Sequence, residues 1–357
     1  MKAYLYLEDG TVYEGKSFGA VKEILSEIVF NTGMTGYQEI LTDPSYREQT
    51  VVMTYPIVGN YGINKRDFES DHVQVKAFVV REYSVHPSHY ECDETLDGFL
   101  KENDIPGIYG IDTRMITKKI RDIGTMKCLL TYEATPDAME KIEAYSFPKD
   151  VAKRNGVKEK KVFGGSGVRI GLLDLGYKKG ILRELTSNDC RVTLYPYHTK
   201  AAEILSDNLD GFMLSNGPGD PKDNPEIISL AKELFGKMPV FGICLGHQIL
   251  ALALGADTFK MKFGHRGSNH PVIKIEDQKV LISSQNHGYE VDGDSLPVGT
   301  IKTYENINDG TLEGFDYPKY QIKAVQFHPE EGPGPIDGHE IISEWINSVK
   351  EEDYAKK

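Results

Sequence analysis

Pro239-Val240-Phe241-Gly242-Ile243-Cys244-Leu245-Gly246-His247-Gln248 decides how the second half of the chain is read. Residues 239–243 form a short apolar run of strand length, and residues 247–254 read as a helix ended by Gly255. Gly242-Ile243-Cys244-Leu245-Gly246 falls at the junction, a G-x-C-x-G pentapeptide and the thiol counterpart of the G-x-S-x-G elbow. A sharp strand-to-helix turn strains the backbone at the nucleophile, and a side chain on either flank would crowd it. The turn puts the sulfur at a helix N-terminus, whose partial positive charge favours thiolate over thiol. The backbone N–H of Leu245 then points to where a tetrahedral oxyanion would form. Cys92, Cys128 and Cys190 lack the flanking glycine pair and read as core cysteines.

Outward from the elbow the pattern is regular. Residues 168–175, 191–196, 211–215 and 239–243 read as strands; residues 178–185, 201–205, 225–235 and 247–254 read as helices between and after them. Such alternation predicts an α/β fold with a parallel sheet covered on both faces. In such a sheet, ligands bind at the carboxyl ends of the strands.

A thiolate nucleophile needs a proton acceptor held by a third group. Residues 323–327 read as a strand, and His328-Pro329-Glu330 follows at its carboxyl end. Residues i and i+2 of an extended chain share a face, so Glu330 can fix the tautomer of His328 while the other ring nitrogen faces the sulfur. Pro329 biases His328 toward an extended backbone. Without Cys244 the same tripeptide would read as a solvated turn. His247, three residues after Cys244, reads as structural. His265 and His270 read as loop residues flanking Arg266. No three or four convergent ligands assemble from them, so no metal is expected.

The first 150 residues mix short strand-like and helix-like segments. The start of the chain, residues 1–10, reads as the first strand of a hairpin with an Asp9-Gly10 turn, residues 74–80 as a strand and residues 113–121 as a helix. Residues 151–167 combine charge with Gly164-Gly165-Ser166-Gly167 and read as a linker, which leaves domains at 1–150 and 168–357. The 357 residues carry 41 Lys and Arg against 54 Asp and Glu, a net charge of −13 that argues against a nucleic-acid partner. No run approaches the about 18 apolar residues of a membrane span, and acid follows too soon after Met1 for a signal peptide. Four cysteines are not a disulfide framework. A cytoplasmic protein is expected. No G-x-x-x-x-G-K-[ST] phosphate loop is present, so ATP is not expected to bind this chain.

Cys244-Leu245-Gly246-His247-Gln248 with His328-Pro329-Glu330 resembles the class I, triad-type glutamine amidotransferases. Three longer segments narrow the match: residues 214–221 (Leu-Ser-Asn-Gly-Pro-Gly-Asp-Pro), residues 263–272 (Phe-Gly-His-Arg-Gly-Ser-Asn-His-Pro-Val) and residues 284–289 (Ser-Gln-Asn-His-Gly-Tyr). These are similar to the small, glutaminase subunit of carbamoyl-phosphate synthases. Asn31-Thr32-Gly33-Met34-Thr35-Gly36-Tyr37-Gln38-Glu39, Thr42-Asp43-Pro44-Ser45-Tyr46, Gly59-Asn60-Tyr61-Gly62 and Gly110-Ile111-Asp112-Thr113-Arg114 resemble that family's N-terminal domain.

The resemblance implies an N-terminal mixed α/β small-subunit domain, followed by a flavodoxin-like amidotransferase domain with a mostly parallel central sheet. It carries the nucleophile onto Cys244, the base onto His328 and the third triad member onto Glu330. Contacts to L-glutamine fall on Ser45, Gly217, Gly219, Leu245, Gln248, Asn286, Gly288 and Tyr289, with Gly219 as a second oxyanion donor and the pocket between the domains. Tyr289 stands where the family often has Phe. The expected partner is a large synthetase subunit in a heterodimer or higher assembly, and ATP and Mg are expected there, with no cofactor on this chain. Ammonia would pass to that subunit to make carbamoyl phosphate for arginine or pyrimidine synthesis. A free-standing cysteine hydrolase, another amidotransferase subunit and a non-catalytic scaffold stay open as alternatives. The first two give no role to residues 1–150, and the third would have lost the triad.

Overall fold

Apolar and polar residues alternate along β1 (Lys2–Leu7), and Ala3, Leu5 and Leu7 are fully buried. β1 pairs antiparallel with β2 (Val12–Gly19) across a turn in which Gly10 adopts φ 84°, a left-handed backbone that suits glycine. Then follow β3 (Ile24–Asn31), β4 (Gln49–Met53), β5 (Ile57–Val58), β6 (Ala77–Val80), β7 (Glu82–Tyr83), β8 (Pro106–Tyr109) and β9 (Met126–Thr131). Seven of these close a barrel in the order β1-β2-β8-β6-β4-β3-β9, while β5 and β7 form a separate parallel ribbon. The pairs β3–β4, β4–β6 and β6–β8 are parallel, and the other four barrel pairs, β1–β2, β2–β8, β3–β9 and β1–β9, are antiparallel. The helix Thr113–Ile123 begins where the Asp112 side chain accepts the Met115 N–H, and it buries Ile116 and Ile120.

The computed structural model describes residues 1–330 and 332–355, and the chain divides into two units, Met1–Pro148 and Lys149–Lys357. Residues 356 and 357, assigned above to the second domain, lie outside the described residues.

The second unit holds β10 (Lys161–Gly164), β11 (Arg169–Leu173), β12 (Arg191–Tyr195), β13 (Gly211–Leu214), β14 (Val240–Ile243), β15 (Thr258–Lys274), β16 (Val280–Val291), β17 (Ile301–Asn306), β18 (Leu312–Tyr317) and β19 (Ile322–Val325). Among the described residues they form one ten-stranded sheet, β10-β12-β11-β13-β14-β19-β18-β17-β15-β16. The five strands β12-β11-β13-β14-β19 are parallel. Counted along the chain their order is 2-1-3-4-5, the flavodoxin-like arrangement. An antiparallel extension from β18 to β16 continues the sheet beyond β19.

Strand periodicity divides the core into two layers. Phe212, Leu214 and Val240 face a layer with Ile227, Leu234 and Ile249, whereas Met213, Phe241 and Ile243 face one with Ile181, Leu185 and Trp345. Each fully buried side chain of this size contributes about 2 kcal/mol of transfer free energy.

Two segments differ from the sequence reading. Residues 151–167 are not a linker: the helix Val151–Asn155 and the strand β10 belong to the second unit. Their polar composition has a physical reason, because β10 is an edge strand paired only on one side, antiparallel to β12, with most of its residues exposed. The buried Asp174 carboxylate fixes the approach by accepting the Val157 N–H at 2.7 Å. His265 and His270 lie in the strand β15 and not in a loop. The glycines and proline around them mark two register shifts against β16, and Gly264 adopts φ 70° at the first. Among the described residues no helix is long and apolar enough to cross a membrane.

Candidate active site

β14 ends at Ile243 and the helix Leu245–Leu254 starts at the next residue but one, so Cys244 alone makes the turn. It adopts φ 53°, ψ −102°, a strained backbone for a residue with a side chain. The flanking glycines are required by contact. A Cβ on Gly246 would lie 2.3 Å from the Leu214 carbonyl oxygen, and one on Gly242 would lie 2.6 Å from the Leu250 side chain. Cys244 is buried, and its Sγ lies 3.7 Å from the Asn286 carbonyl oxygen. All four cysteines are free thiols.

β19 is parallel to β14 and delivers His328 just beyond its carboxyl end. The backbone N–H of His328 donates to the Ser284 carbonyl at 3.0 Å, which ties it to β16. His328 Nδ1 and Glu330 Oε1 are 2.6 Å apart, as the shared face of i and i+2 predicts. Nε2 is buried and closes no full hydrogen bond among the described residues, while the Cys244 thiol is among the hydrogen-bonding groups acting on the ring. Resting catalytic contacts of this kind are often loose.

Sequence reasoning missed Lys178. Its ammonium lies 3.2 Å from Glu330 Oε1 and donates to the Gly332 carbonyl at 2.7 Å, with both charged groups buried. Lys178 follows β11 at the carboxyl-end side of the sheet, where ligands are expected, and that position was the available signal. The electrostatics follow from these contacts. Burial alone would lower the His328 pKa, but the Glu330 carboxylate outweighs it and raises it, with Lys178 opposing. Burial would raise the Glu330 pKa, but Lys178 and His328 hold it well below the carboxylate range. Both shifts run the same way, toward an imidazolium beside a carboxylate, with the Lys178 ammonium next to the carboxylate.

Of the expected glutamine-contact residues of this unit, Gly217 and Gly219 follow β13, Leu245 and Gln248 lie in the first turns of the helix after β14, and Asn286, Gly288 and Tyr289 lie in β16. Gln248 donates through Nε2 to the Tyr289 carbonyl at 2.8 Å and to Gln326 Oε1 at 2.9 Å. Gln326 is fully buried and was also missed, since a Gln in an apolar strand gives no signal until its partner is known. Gly217 packs where a Cβ would meet the Leu175 carbonyl oxygen at 2.3 Å and the Leu245 side chain at 2.8 Å. Gly219 is exposed and adopts φ 94°. Asn286 and Gly288 share one face of β16, and His287 between them points to the other. Ser45 belongs to the first unit, where Asp43 Oδ1 accepts its N–H at 2.9 Å. His247 is fully buried against the Phe315 ring; burial lowers its pKa to about 3 and keeps it neutral.

The antiparallel extension holds a second polar cluster. His265, His287 and Glu313 bring one ligand atom each within 4.8 Å of one another, a set the sequence reading did not assemble. His265 Nε2 is 2.8 Å from Asp309 Oδ2, and His265 Nδ1 is 3.5 Å from Glu313 Oε1.

Residues 5–130 match the family model of the carbamoyl-phosphate synthase small chain, CPSase domain, and residues 171–347 match glutamine amidotransferase class-I. The carbamoyl phosphate synthase small chain of Bacillus caldolyticus is 50% identical over 98% of this chain and 97% of its own. That of Listeria innocua is 50% identical over 98% of both chains, and that of Clostridium perfringens 48% identical over 97% of this chain and 99% of its own. Two domain models that together span most of the chain, and relatives that align from end to end, leave one conclusion: the chain belongs to the carbamoyl phosphate synthase small-chain family and carries a class I glutamine amidotransferase domain.

Proposed function

We propose that the chain hydrolyses L-glutamine through Cys244, His328 and Glu330 and passes the ammonia to a large synthetase subunit. The observation that carries this reading is the strained Cys244 elbow beside a buried His328 whose Nδ1 is held by Glu330 while Nε2 has no full hydrogen bond.

The Cys244 thiolate adds to the side-chain amide carbon of glutamine, and the carbonyl π electrons move onto oxygen. N–H groups of Leu245 and Gly219 stabilise that oxyanion, each donor contributing about 3 kcal/mol to the transition state. The His328 imidazolium gives its proton to the departing nitrogen, the C–N bond breaks and a γ-glutamyl thioester remains. His328, now neutral, takes a proton from water as the hydroxyl oxygen adds to the thioester carbon. Collapse releases glutamate and the thiolate, and restores the imidazolium. Glu330 holds the ring and balances its charge; Lys178 balances Glu330.

Free ammonia is protonated at neutral pH and loses its nucleophilicity, so its transfer must be sheltered. The proposed recipient is the large subunit of a heterodimer or higher assembly, which would hold ATP and Mg, make carboxyphosphate from bicarbonate, and yield carbamoyl phosphate for arginine or pyrimidine synthesis. The four free thiols suit a cytoplasmic setting.

The test uses the complex of this chain with its large subunit. Cys244→Ser is expected to abolish carbamoyl phosphate formation from glutamine and preserve it from added ammonia. Loss of both would contradict a role confined to the nucleophile, and retention of both would remove Cys244 from the mechanism.

A further inference from the structure

The cluster in the antiparallel extension lies outside the proposed triad and has no part in the chemistry above. It draws on four strands and a turn: His265 and His270 from β15, His287 and Glu290 from β16, Asn306 from β17, Glu313 from β18, and Asp309 from the β17–β18 turn. His265 and His287 face each other across the β15–β16 ladder, with ring centroids 5.0 Å apart.

We propose that His265 Nδ1, His287 Nε2 and the Glu313 carboxylate form a site for one divalent transition-metal ion of the zinc class.

One hydrogen bond on each ring can stay while the other nitrogen takes an ion. His287 Nδ1 is 2.8 Å from the Tyr289 carbonyl oxygen and Nε2 is 2.9 Å from Gln285 Oε1, both acceptors, so an ion on Nε2 would replace the Gln285 contact and leave the Nδ1 hydrogen on Tyr289. His265 Nε2 is 2.8 Å from the Asp309 carboxylate, so donation there can persist while an ion displaces the proton from Nδ1, which faces Glu313. A ligating imidazole anchored through its other N–H to a carboxylate or backbone carbonyl is the recurrent outer arrangement of metal sites. The Gln285 side chain, 2.9 Å from His287 Nε2, would have to rotate away or present its amide elsewhere.

The spacing is compatible. Bonds of about 2.1 Å at a tetrahedral ion separate ligand atoms by about 3.4 Å. His265 Nδ1 and Glu313 Oε1 stand 3.5 Å apart, and all three ligand atoms lie within 4.8 Å, so side-chain rotation suffices to close the set. Glu313 is fully buried, and its Oε2 has no hydrogen-bond partner among the described residues, although Asn306 donates to Oε1 at 2.9 Å. A buried carboxylate oxygen left without a donor is costly, and a cation satisfies it. Asp309 and Glu313 act on Glu290 as like charges across the cluster, which a divalent ion would relieve. Imidazole and carboxylate donors together suit zinc-class ions more than the all-oxygen preference of calcium or magnesium.

The position suggests what the ion would do. The Tyr289 carbonyl that accepts from His287 also accepts from Gln248, so an ion on His287 would steady the Asn286–Tyr289 stretch from the side away from the thiol.

The experiment titrates Co2+ into the chelator-stripped full-length chain carrying Cys244→Ser, which removes the elbow thiolate as a ligand. One equivalent with the visible bands of four- or five-coordinate cobalt and no thiolate charge-transfer band is the expected result. Glu313→Gln, which keeps the shape and removes the charge, is expected to weaken binding about tenfold or more at an unchanged circular dichroism spectrum. X-ray absorption of the Zn2+ form should show two imidazoles, a reading that holds even if the variant fails to fold. No saturable binding, a thiolate band, or affinity untouched by Glu313→Gln would overturn the proposal and leave His265 as a protonated link between Asp309 and Glu313.

Discussion

Two buried histidines each meet a carboxylate beside one sheet, and they differ in what each leaves unfinished. His328 and Glu330 meet at 2.6 Å beyond the parallel strand β19. His265 and Asp309 meet at 2.8 Å within the antiparallel extension. In both, burial opposes the charged ring and carboxylates overcome it, so both pKa values are raised. At His328 the second nitrogen has no full hydrogen bond and the Cys244 thiol beside it. At His265 the second nitrogen already faces Glu313 and Asn306. A raised pKa therefore does not by itself mark a proton carrier; the open nitrogen beside the Cys244 thiol is what separates His328 from His265.

Replacing each histidine gives the largest contrast. His328→Asn is expected to lower glutamine hydrolysis by about a thousandfold or more, because the proton donor to the leaving nitrogen is lost. His265→Asn should change kcat by less than about tenfold. Steady-state glutaminase assays on the two variants measure this, and comparable losses would erase the distinction.

Glu330→Gln should act more mildly, by about ten- to a hundredfold, since it orients and balances the ring. Its sharper signature is in pH. Removing the carboxylate removes the main influence raising the His328 pKa, while burial and Lys178 still lower it. The imidazolium is then lost at lower pH, and the basic limb of kcat/KM is expected to move toward acid. A limb that stays in place, or moves toward base, would show that Glu330 does not hold the proton on His328.

Lys178→Met should be felt more in stability than in rate. It strips one of two cations from a buried carboxylate, at a cost of about 2–3 kcal/mol by denaturant unfolding at neutral pH. The sign with pH follows from linkage. A lowered folded-state Glu330 pKa contributes stability that is present above the unfolded value near 4.5 and is lost as pH falls toward about 2. Without Lys178 the folded-state value rises, so the loss on acidification should begin at higher pH and the difference from the parent chain should shrink in acid. Unfolding curves at several pH values test it; a constant difference would place the effect outside Glu330.

The parallel half of the sheet was legible because each strand is an apolar run cut by its own helix. The elbow was legible because only glycine fits beside Cys244, and His328 with Glu330 because i and i+2 of a strand share a face. Lys178 was not, because its carboxylate partner lies far along the chain, and its place after β11 marks a ligand-bearing end of the sheet without naming a partner. The antiparallel half misled for the opposite reason. Gly264, Gly267 and Pro271 have loop composition, yet in β15 they accompany bulges that let a long strand bend. The edge strand β10 was hidden by its exposed lysines and glycines. In the first unit the hairpin of β1 and β2 could be read from its turn. The barrel could not, because its closure depends on parallel pairings between β3, β4, β6 and β8 that join remote segments.

The most direct test of the account is to trap the intermediate. The protein, with its large subunit, is mixed with isotopically labelled glutamine, quenched in acid during turnover, digested and mapped by mass spectrometry. The account predicts a γ-glutamyl thioester on the peptide containing Cys244 and none on those containing Cys92, Cys128 or Cys190. Label on another cysteine, or glutamine turnover with no labelled cysteine at all, would contradict it.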